Sequence, residues 1–253
     1  MGTTEDAEQI RISPPDPSAT AVSDADFHDA VAARHRRIDT ANWTDIYVVG
    51  DVHGCIAELR TLVETLDIDS DDLLVFVGDL VRKGPDSKAV VEFVRRHDNM
   101  LSVRGNNEDK LVHDRKTLDS LDGNDIEYLE SLPVVISWDD VLVVHGGVDP
   151  TRALTEQDVQ SVLNCRAIQP GNGYDGPFWF ERYRGPPQVF FGHTVLDAPV
   201  VTDGAIGLDT GCVYGGALTA YDYSEGSFVG VSAETTYQSR AESKVLEPEA
   251  LDL

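Results

Sequence analysis

Lysine and cysteine are the scarce residues of this chain. Five Lys and 15 Arg face 45 acidic side chains over 253 positions, a formal charge of −25 and a pI near 4.4. An exterior so poor in cations excludes coating of nucleic acid or docking on an anionic membrane, because both are polyanions that bind through Lys and Arg. Three cysteines, Cys55, Cys165 and Cys212, lie far apart with no C-x-x-C pair, which excludes a disulfide framework and a zinc ribbon. No stretch approaches the roughly 20 apolar residues of a membrane span. Met1-Gly-Thr-Thr-Glu-Asp6 has no basic start running into an apolar core, so no signal peptide is expected. The expectation is a soluble, cytoplasmic protein. Its acid is mainly Asp, 30 against 15 Glu. Short carboxylates in excess with little Lys suit concentrated salt, where their mutual repulsion is screened, so a halophilic setting is expected.

What is present is enough apolar residue, 41% of the chain, for one sizeable core. Residues 1–42 read as an acidic N-terminal extension, with Pro14, Pro15 and Pro17 in a polar stretch expected to be disordered. Within it Asp24 to Ile38 is expected as a short helix, with Phe27, Val31 and Ala32 at helical spacing. Residues 233–253, with Glu234, Glu242, Glu247 and Glu249, lack periodicity and read as an acidic tail that frays. Residues 43–232 carry the organised pattern. Ile46–Val49, Leu73–Val77 and Met100–Val103 are apolar strand candidates, each ending in glycine plus a polar residue and each followed by a helical stretch. That is the strand–helix rhythm of a parallel sheet, in which ligands gather at the carboxyl ends of strands. After Pro133 strands and loops are expected, giving one α/β domain with two sheets.

The polar residues at those strand ends are Asp51, His53, Asp79 and Asn106, joined by His145 after Val141–Val144 and His193 after Val189–Phe191. Gly50, Gly54, Gly78, Gly105, Gly146, Gly147 and Gly192 flank them. Glycine there permits a sharp turn and a close backbone approach to a ligand. Two carboxylates, one amide oxygen and three imidazoles form a mixed N/O donor set. It suits Mn, Fe, Zn or Co and is wrong for an all-oxygen Ca site. Any one of these residues is unremarkable alone; the joint, ordered occurrence is the signal.

Gly50-Asp-x-His-Gly54, Gly78-Asp79…Gly84, Gly105-Asn106, His145-Gly-Gly147 and Gly192-His193-Thr resemble the ordered motifs of calcineurin-like metallophosphoesterases, in their phosphoprotein-phosphatase branch. The Gly78–Ser87 and Leu208–Ala220 segments look like its bacterial subgroup, which contains symmetrical diadenosine tetraphosphatases and phage- and bacterial-type protein phosphatases. The resemblance runs from about Asp45 to Asp222. It implies an αββα sandwich of two mixed β-sheets flanked by helices. It also implies two divalent metal ions, Mn first, with Asp51 and His53 on one, Asn106, His145 and His193 on the other, and Asp79 bridging them. Two such ions, roughly 3.5–4 Å apart, activate a water and clamp an in-line displacement at phosphorus. They also make the site locally cationic within an acidic protein.

The chain departs from the protein-phosphatase motifs G-D-x-V-D-R-G and G-N-H-E. Arg82 stands where Asp is usual, and Asn107 replaces the His which that Asp orients. Asn107 donates a hydrogen bond but delivers no proton. Expelling a serine alkoxide needs that proton far more than expelling a nucleotide phosphate does. Lys83 replaces the phosphate-gripping Arg, keeping the charge without the fork. The catalytic candidates are therefore Asp79, Lys83, Asn107 and Arg82. The substrate-binding candidates are Lys83, Arg104, Arg166, Arg182 and Arg184. Trp179 and Tyr183 are weighed as a base-stacking pair or a core seal. The expected partner is a phosphorylated small molecule, a dinucleoside polyphosphate, or else a phosphoprotein, with no nucleic acid and no membrane. The expected activity is diadenosine-tetraphosphatase-like hydrolysis, with a serine/threonine protein phosphatase second. A non-catalytic phospho-ligand-binding pseudo-enzyme is third.

Overall fold

The computed structural model describes residues 21–169 and 171–248; the proline-rich stretch and Glu249 lie outside them. In chain order the strands are β1 (His35–Arg37), β2 (Ile46–Val49), β3 (Leu73–Phe76), β4 (Met100–Ser102), β5 (Val135–Trp138), β6 (Val141–Val143), β7 (Gln188–Phe191), β8 (Val200–Val201), β9 (Ala205–Gly207), β10 (Ala217–Asp222) and β11 (Ser227–Ser232). The α-helices are α1 (Asp29–Ala32), α2 (Ile56–Thr65), α3 (Ser87–Arg95), α4 (Asn106–Val112), α5 (Gly123–Ser131), α6 (Val159–Asn164) and α7 (Trp179–Arg182).

The strands form two mixed sheets, ordered β11-β10-β2-β3-β4 and β1-β5-β6-β7-β9-β8. In the first, β2, β3 and β4 run parallel; in the second, β6, β7 and β9 do. Side-chain alternation decides what each face meets. Val48, Val75 and Val77 of the first sheet pack on Val141, Val143, Phe190 and Ile206 of the second, forming the layer between the sheets. Tyr47, Val49, Leu74 and Phe76 point the other way, onto Leu59 and Leu62 of α2 and Val90, Val91 and Val94 of α3. Leu142, Val144, Val189 and Phe191 cover the outer face of the second sheet, against Val162 and Leu163 of α6 and Trp179 and Phe180 of α7. The order helix, sheet, sheet, helix is the αββα sandwich. Each strand that reads as one continuous apolar run is buried on both faces, as a sheet covered on both sides demands.

The expected helix over Asp24–Ile38 is corrected. A 3₁₀ turn (Asp24–Asp26) and the single-turn α1 are followed by β1, which pairs in parallel with β5. His35 is held between Asp24 Oδ1 and Ser137 Oγ, both at 2.7 Å, and the β5 backbone supplies the pairing that a strand of polar residues could not announce. Val22, Phe27 and Val31 are buried in the outer core of the second sheet. At the other end Ala233 and Tyr237 pack on the first sheet's core, and Leu246 bridges Leu196. The stretch after Pro133 also holds two short helices, α6 and α7.

Candidate active site

Five strand ends, three from the first sheet and two from the second, meet in one place and carry six candidate ligands. Asp51 and His53 follow β2, Asp79 follows β3 and Asn106 begins α4 after β4; His145 follows β6 and His193 follows β7. The turns are tight. His53, Asp79 and His193 have φ of 49°, 52° and 64°, and Arg82 and Lys83 have 70° and 68°. Left-handed backbone is costly for side chains other than glycine and is retained where surrounding structure enforces it, commonly at functional sites. Glycine lets these turns abut. A Cβ on Gly192 would lie 2.0 Å from Asp51 Oδ1, and one on Gly105 would lie 2.3 Å from the Asp79 amide nitrogen.

Asp79 sits between two imidazoles, its Oδ2 at 3.5 Å from His53 Nε2 and its Oδ1 at 3.5 Å from His145 Nε2. Asp51 Oδ2 is 3.8 Å from His53 Nε2 and accepts from the His193 amide at 3.3 Å. His193 Nδ1 is 3.1 Å from the Asn106 side-chain amide. His53 and His145 present Nδ1 to backbone carbonyls, Val81 O at 3.1 Å and Val77 O at 2.9 Å, which turns each Nε2 lone pair inward. Burial depresses all three histidines, His53 to about 3, so each is a neutral imidazole at pH 7. For Asp51, burial and then the Asp209 and Asp79 charges push the carboxyl well above its usual range. Asp79 feels the same burial, but His145, His53 and Lys83 outweigh it and hold its pKa down.

These residues fit a divalent cation. His145 Nε2 is buried and has no hydrogen-bond partner among the described residues. Donor atoms of Asp51, Asp79 and His145 lie within 4.8 Å of one another. The crowding that raises Asp51 is the crowding a shared cation would relieve. A positive group is already drawn in, for the Lys83 ammonium donates to His53 Nε2 at 2.6 Å.

Around this cluster the structure brings some of the expected residues in and leaves others out. Asn107 donates from Nδ2 to Asp79 Oδ2 and, at 2.9 Å, to Asn106 Oδ1, while its own oxygen accepts from Arg82 Nη1. The two departures from the motif are thus in contact. Arg166 donates to the His193 carbonyl at 3.0 Å. Arg104 is corrected as a substrate contact: it is 1% exposed and committed to Asp109, 3.7 Å away, and to the Glu130 carbonyl. Arg182 and Arg184 are not brought to the cluster either. They line a cleft with Asp149, Arg152 and Pro186 that none of the six candidate ligands lines, and Arg184 lies 3.7 Å from Asp203. Trp179 is fully buried and donates to the Gly146 carbonyl, so with Tyr183 it seals the core.

Asp209 was missed. It is 2% exposed, stands just past β9, and its charge acts directly on Asp51. The strand-end rule that singled out His145 and His193 also points to it. Glu108 is a second such residue. Its carboxylate accepts from the amides of Asp79 (3.0 Å), Val81 (3.1 Å) and Gly105 (2.7 Å), tying two of the ligand turns together. Burial, then the Asp79 charge, raises its pKa to about 8.

A family model described as calcineurin-like phosphoesterase matches residues 44–225. The chain is 27% identical over 234 residues to the asymmetrical bis(5'-nucleosyl)-tetraphosphatase PrpE of Geobacillus sp. (strain WCH70), covering 76% of this chain and 96% of that protein. It is 30% identical over 216 residues to serine/threonine-protein phosphatase 1 of Salmonella typhimurium (strain LT2), covering 73% and 94%. A crystal structure of a putative diadenosine tetraphosphatase superposes with a TM-score of 0.70 at 32% identity, covering 79% of this chain and 98% of that one.

Proposed function

The chain belongs to the calcineurin-like phosphoesterase family and is a metal-dependent hydrolase of phosphate ester or anhydride bonds, and from that premise we propose that it prefers phosphoanhydrides, dinucleoside polyphosphates above all. Asp51, His53, Asp79, Asn106, His145 and His193 would hold two divalent ions, Mn the first choice, with Asp79 serving both. When bound, such ions supply Lewis acidity at phosphorus and a nucleophilic water at neutral pH. The chain's own residues do the rest. His53 and His145 are kept neutral and aimed by the Val81 and Val77 carbonyls, Lys83 and Arg166 offer N–H groups to phosphate oxygens, and Asn107 orients Asp79.

The observation that carries the substrate preference is the Arg82–Asn107 hydrogen bond. It occupies the place where the protein-phosphatase branch keeps a carboxylate and an imidazole, and neither guanidinium nor amide delivers a proton near pH 7. A leaving group that needs no proton, such as a nucleotide phosphate, is favoured. Protein-phosphatase activity is the second reading, favoured by the likeness to the Salmonella protein. Adaptation to high salt and the lack of nucleic-acid or membrane partners are proposed from the acidic composition, and cytoplasmic residence from the lack of a long apolar run. Among the described residues no helix is long and apolar enough to cross a membrane.

The test is a panel of diadenosine tetraphosphate, p-nitrophenyl phosphate and a phosphoserine peptide with Mn²⁺ in high salt, for the wild type and Asp79→Asn. The expected result is kcat/KM highest on the tetraphosphate. Asp79→Asn should lose more than about 10²-fold, since loss of an outer-shell partner alone costs up to that much. Equal kcat/KM on peptide and tetraphosphate would overturn the preference, and an active Asp79→Asn would overturn the metal assignment.

A further inference from the structure

The segment 233–248 is a strap hydrogen-bonded to loops that flank the site. Ala233 N donates to Gly216 O at 2.8 Å, Gln238 N to Val213 O at 3.0 Å and Leu246 N to Val195 O at 2.9 Å. Tyr237 hydroxyl donates to Glu58 at 2.9 Å. Val195 lies two residues past His193, and Val213 four past Asp209, so the strap is pinned to the loops that carry the site. It delivers Arg240 between two rings. The guanidinium is 4.6 Å from the centre of Tyr214 and 5.2 Å from that of Tyr174, and it donates to the Tyr174 hydroxyl. Arg166 lies over the same Tyr174 ring at 4.5 Å, and the Lys83 ammonium is 5.3 Å from the Tyr214 ring. Cations and rings therefore alternate in an arc: Arg166, Tyr174, Arg240, Tyr214, Lys83. Both ends of the arc touch candidate ligands, Arg166 at the His193 carbonyl and Lys83 at His53.

In a protein of charge −25 the ordinary partner for a cation is a carboxylate. Among the described residues no ion pair joins Lys83, Arg166 or Arg240 to one. Aromatic faces and neutral acceptors hold them instead, with Arg240 Nε donating to the Lys244 carbonyl at 2.7 Å and Arg166 to that of His193, which fixes position without neutralising charge or consuming every N–H donor. Arg166 Nε is buried and has no hydrogen-bond partner among the described residues.

We propose that this arc is a second anion subsite, gripping the phosphate group next to the one seated among the metal ligands, and that Arg240 is its specificity-determining residue. The inference rests on the reading of the cluster as a phosphate-hydrolysing centre. A monoester meets only the ends of the arc, Lys83 and Arg166. A chain of linked phosphates carries a second anionic phosphoryl group to the middle, where the planar fork of Arg240 suits bidentate contact with phosphate oxygens.

The test uses the full chain with Mn²⁺ in excess and two probes that are not hydrolysed at a P–O–P bond. They are methylenediphosphonate, with two linked phosphorus groups, and methylphosphonate, with one. Dissociation constants are measured by calorimetry for the wild type, Arg240→Gln and Arg240→Lys. The wild type should favour the diphosphonate. Arg240→Gln should weaken that probe about tenfold, the effect of one charge-assisted hydrogen bond, and shift methylphosphonate far less, with Arg240→Lys recovering part of the loss. Equal weakening of both probes would mean that Arg240 acts only through the fold, and no change in either would remove it from the subsite; both outcomes overturn the proposal. A wild type that prefers the diphosphonate but hydrolyses no phosphate substrate would sink the proposed function and leave the subsite standing. One that hydrolyses substrate without that preference would do the reverse.

Discussion

Rebuilding the missing proton donor is the sharpest test of how this site selects substrate. Asn107 is 2% exposed and fixed by three contacts, to Asp79, Asn106 and Arg82. In Asn107→His alone, the new imidazole faces the Arg82 guanidinium. Two unit charges about 4 Å apart at an effective dielectric of 20 repel by about 4 kcal/mol. That depresses the imidazole by roughly 3 pKa units, so it stays neutral and donates no proton at pH 7. Adding Arg82→Asp reverses the sign of the interaction and favours the protonated ring. The backbone accepts the change, because position 82 has φ of 70° and Asp tolerates left-handed geometry better than Arg does. General acid catalysis contributes about 10²–10⁴-fold. The double variant should therefore gain at least about 10²-fold in kcat/KM on a phosphoserine peptide, and little on p-nitrophenyl phosphate, whose leaving group needs no proton. Asn107→His alone should gain less than about tenfold, since the repulsion removes the acid form. The assay is kcat/KM against leaving-group pKa, and the slope should flatten only in the double variant. A single variant as active as the double, or a wild-type slope already flat, would refute the reasoning.

Two further expectations concern the frame. Gly192→Ala forces a Cβ to within 2.0 Å of Asp51 Oδ1 and 2.7 Å of Val77 Cγ2. Mn²⁺ affinity should fall by about 10–100-fold as Asp51 is displaced, and unchanged affinity in a calorimetric titration would show that the Gly192 approach does not position that carboxylate. Asp125 lies buried at the start of α5, accepting from the Asp122 amide at 3.0 Å and facing Lys88 at 2.7 Å and Arg95 at 3.2 Å. Burial alone would raise its pKa, but the Lys88 and Asp122 hydrogen bonds outweigh it and hold the carboxyl below 3.8. Its stabilisation is thus present above the unfolded value and disappears as pH falls through the lower folded one. Asp125→Asn should cost about 1–3 kcal/mol at pH 7 and progressively less below pH 3.8. A stability gap that stays constant down to pH 3 in denaturant titrations would count against that account.

How much of this was legible beforehand varies with the kind of order involved. The ten strands β2 to β11 announce themselves by apolar runs or alternation, and the six candidate ligands by their place at strand ends beside glycine. β1 did not, because His35-Arg36-Arg37 is polar and its order comes from the β5 backbone, a partner 100 residues away. Residues 233–248 have no periodicity for a related reason: their order resides in scattered main-chain hydrogen bonds, not in an apolar face. Arg104 is among the substrate-binding candidates that the sequence offers. Its fate was decided by Asp109 and the Glu130 carbonyl, which only the fold brings near. Asp209 had the right position but only a single acid to show for it.

The strand order β11-β10-β2-β3-β4 also sets a timetable for synthesis. A ribosome delivers every candidate ligand, from Asp51 to His193, before it delivers β10. Until then β2, which leads directly into Asp51, is an open edge, with the amides and carbonyls of Ile46–Val49 bare on one side. When β10 arrives it seals that edge, and Thr219 O takes the Gly50 amide at 2.9 Å, fixing the turn that presents Asp51. Protection of the nascent sheet and completion of the reactive centre are one event, and it falls to a hairpin that contributes no ligand of its own.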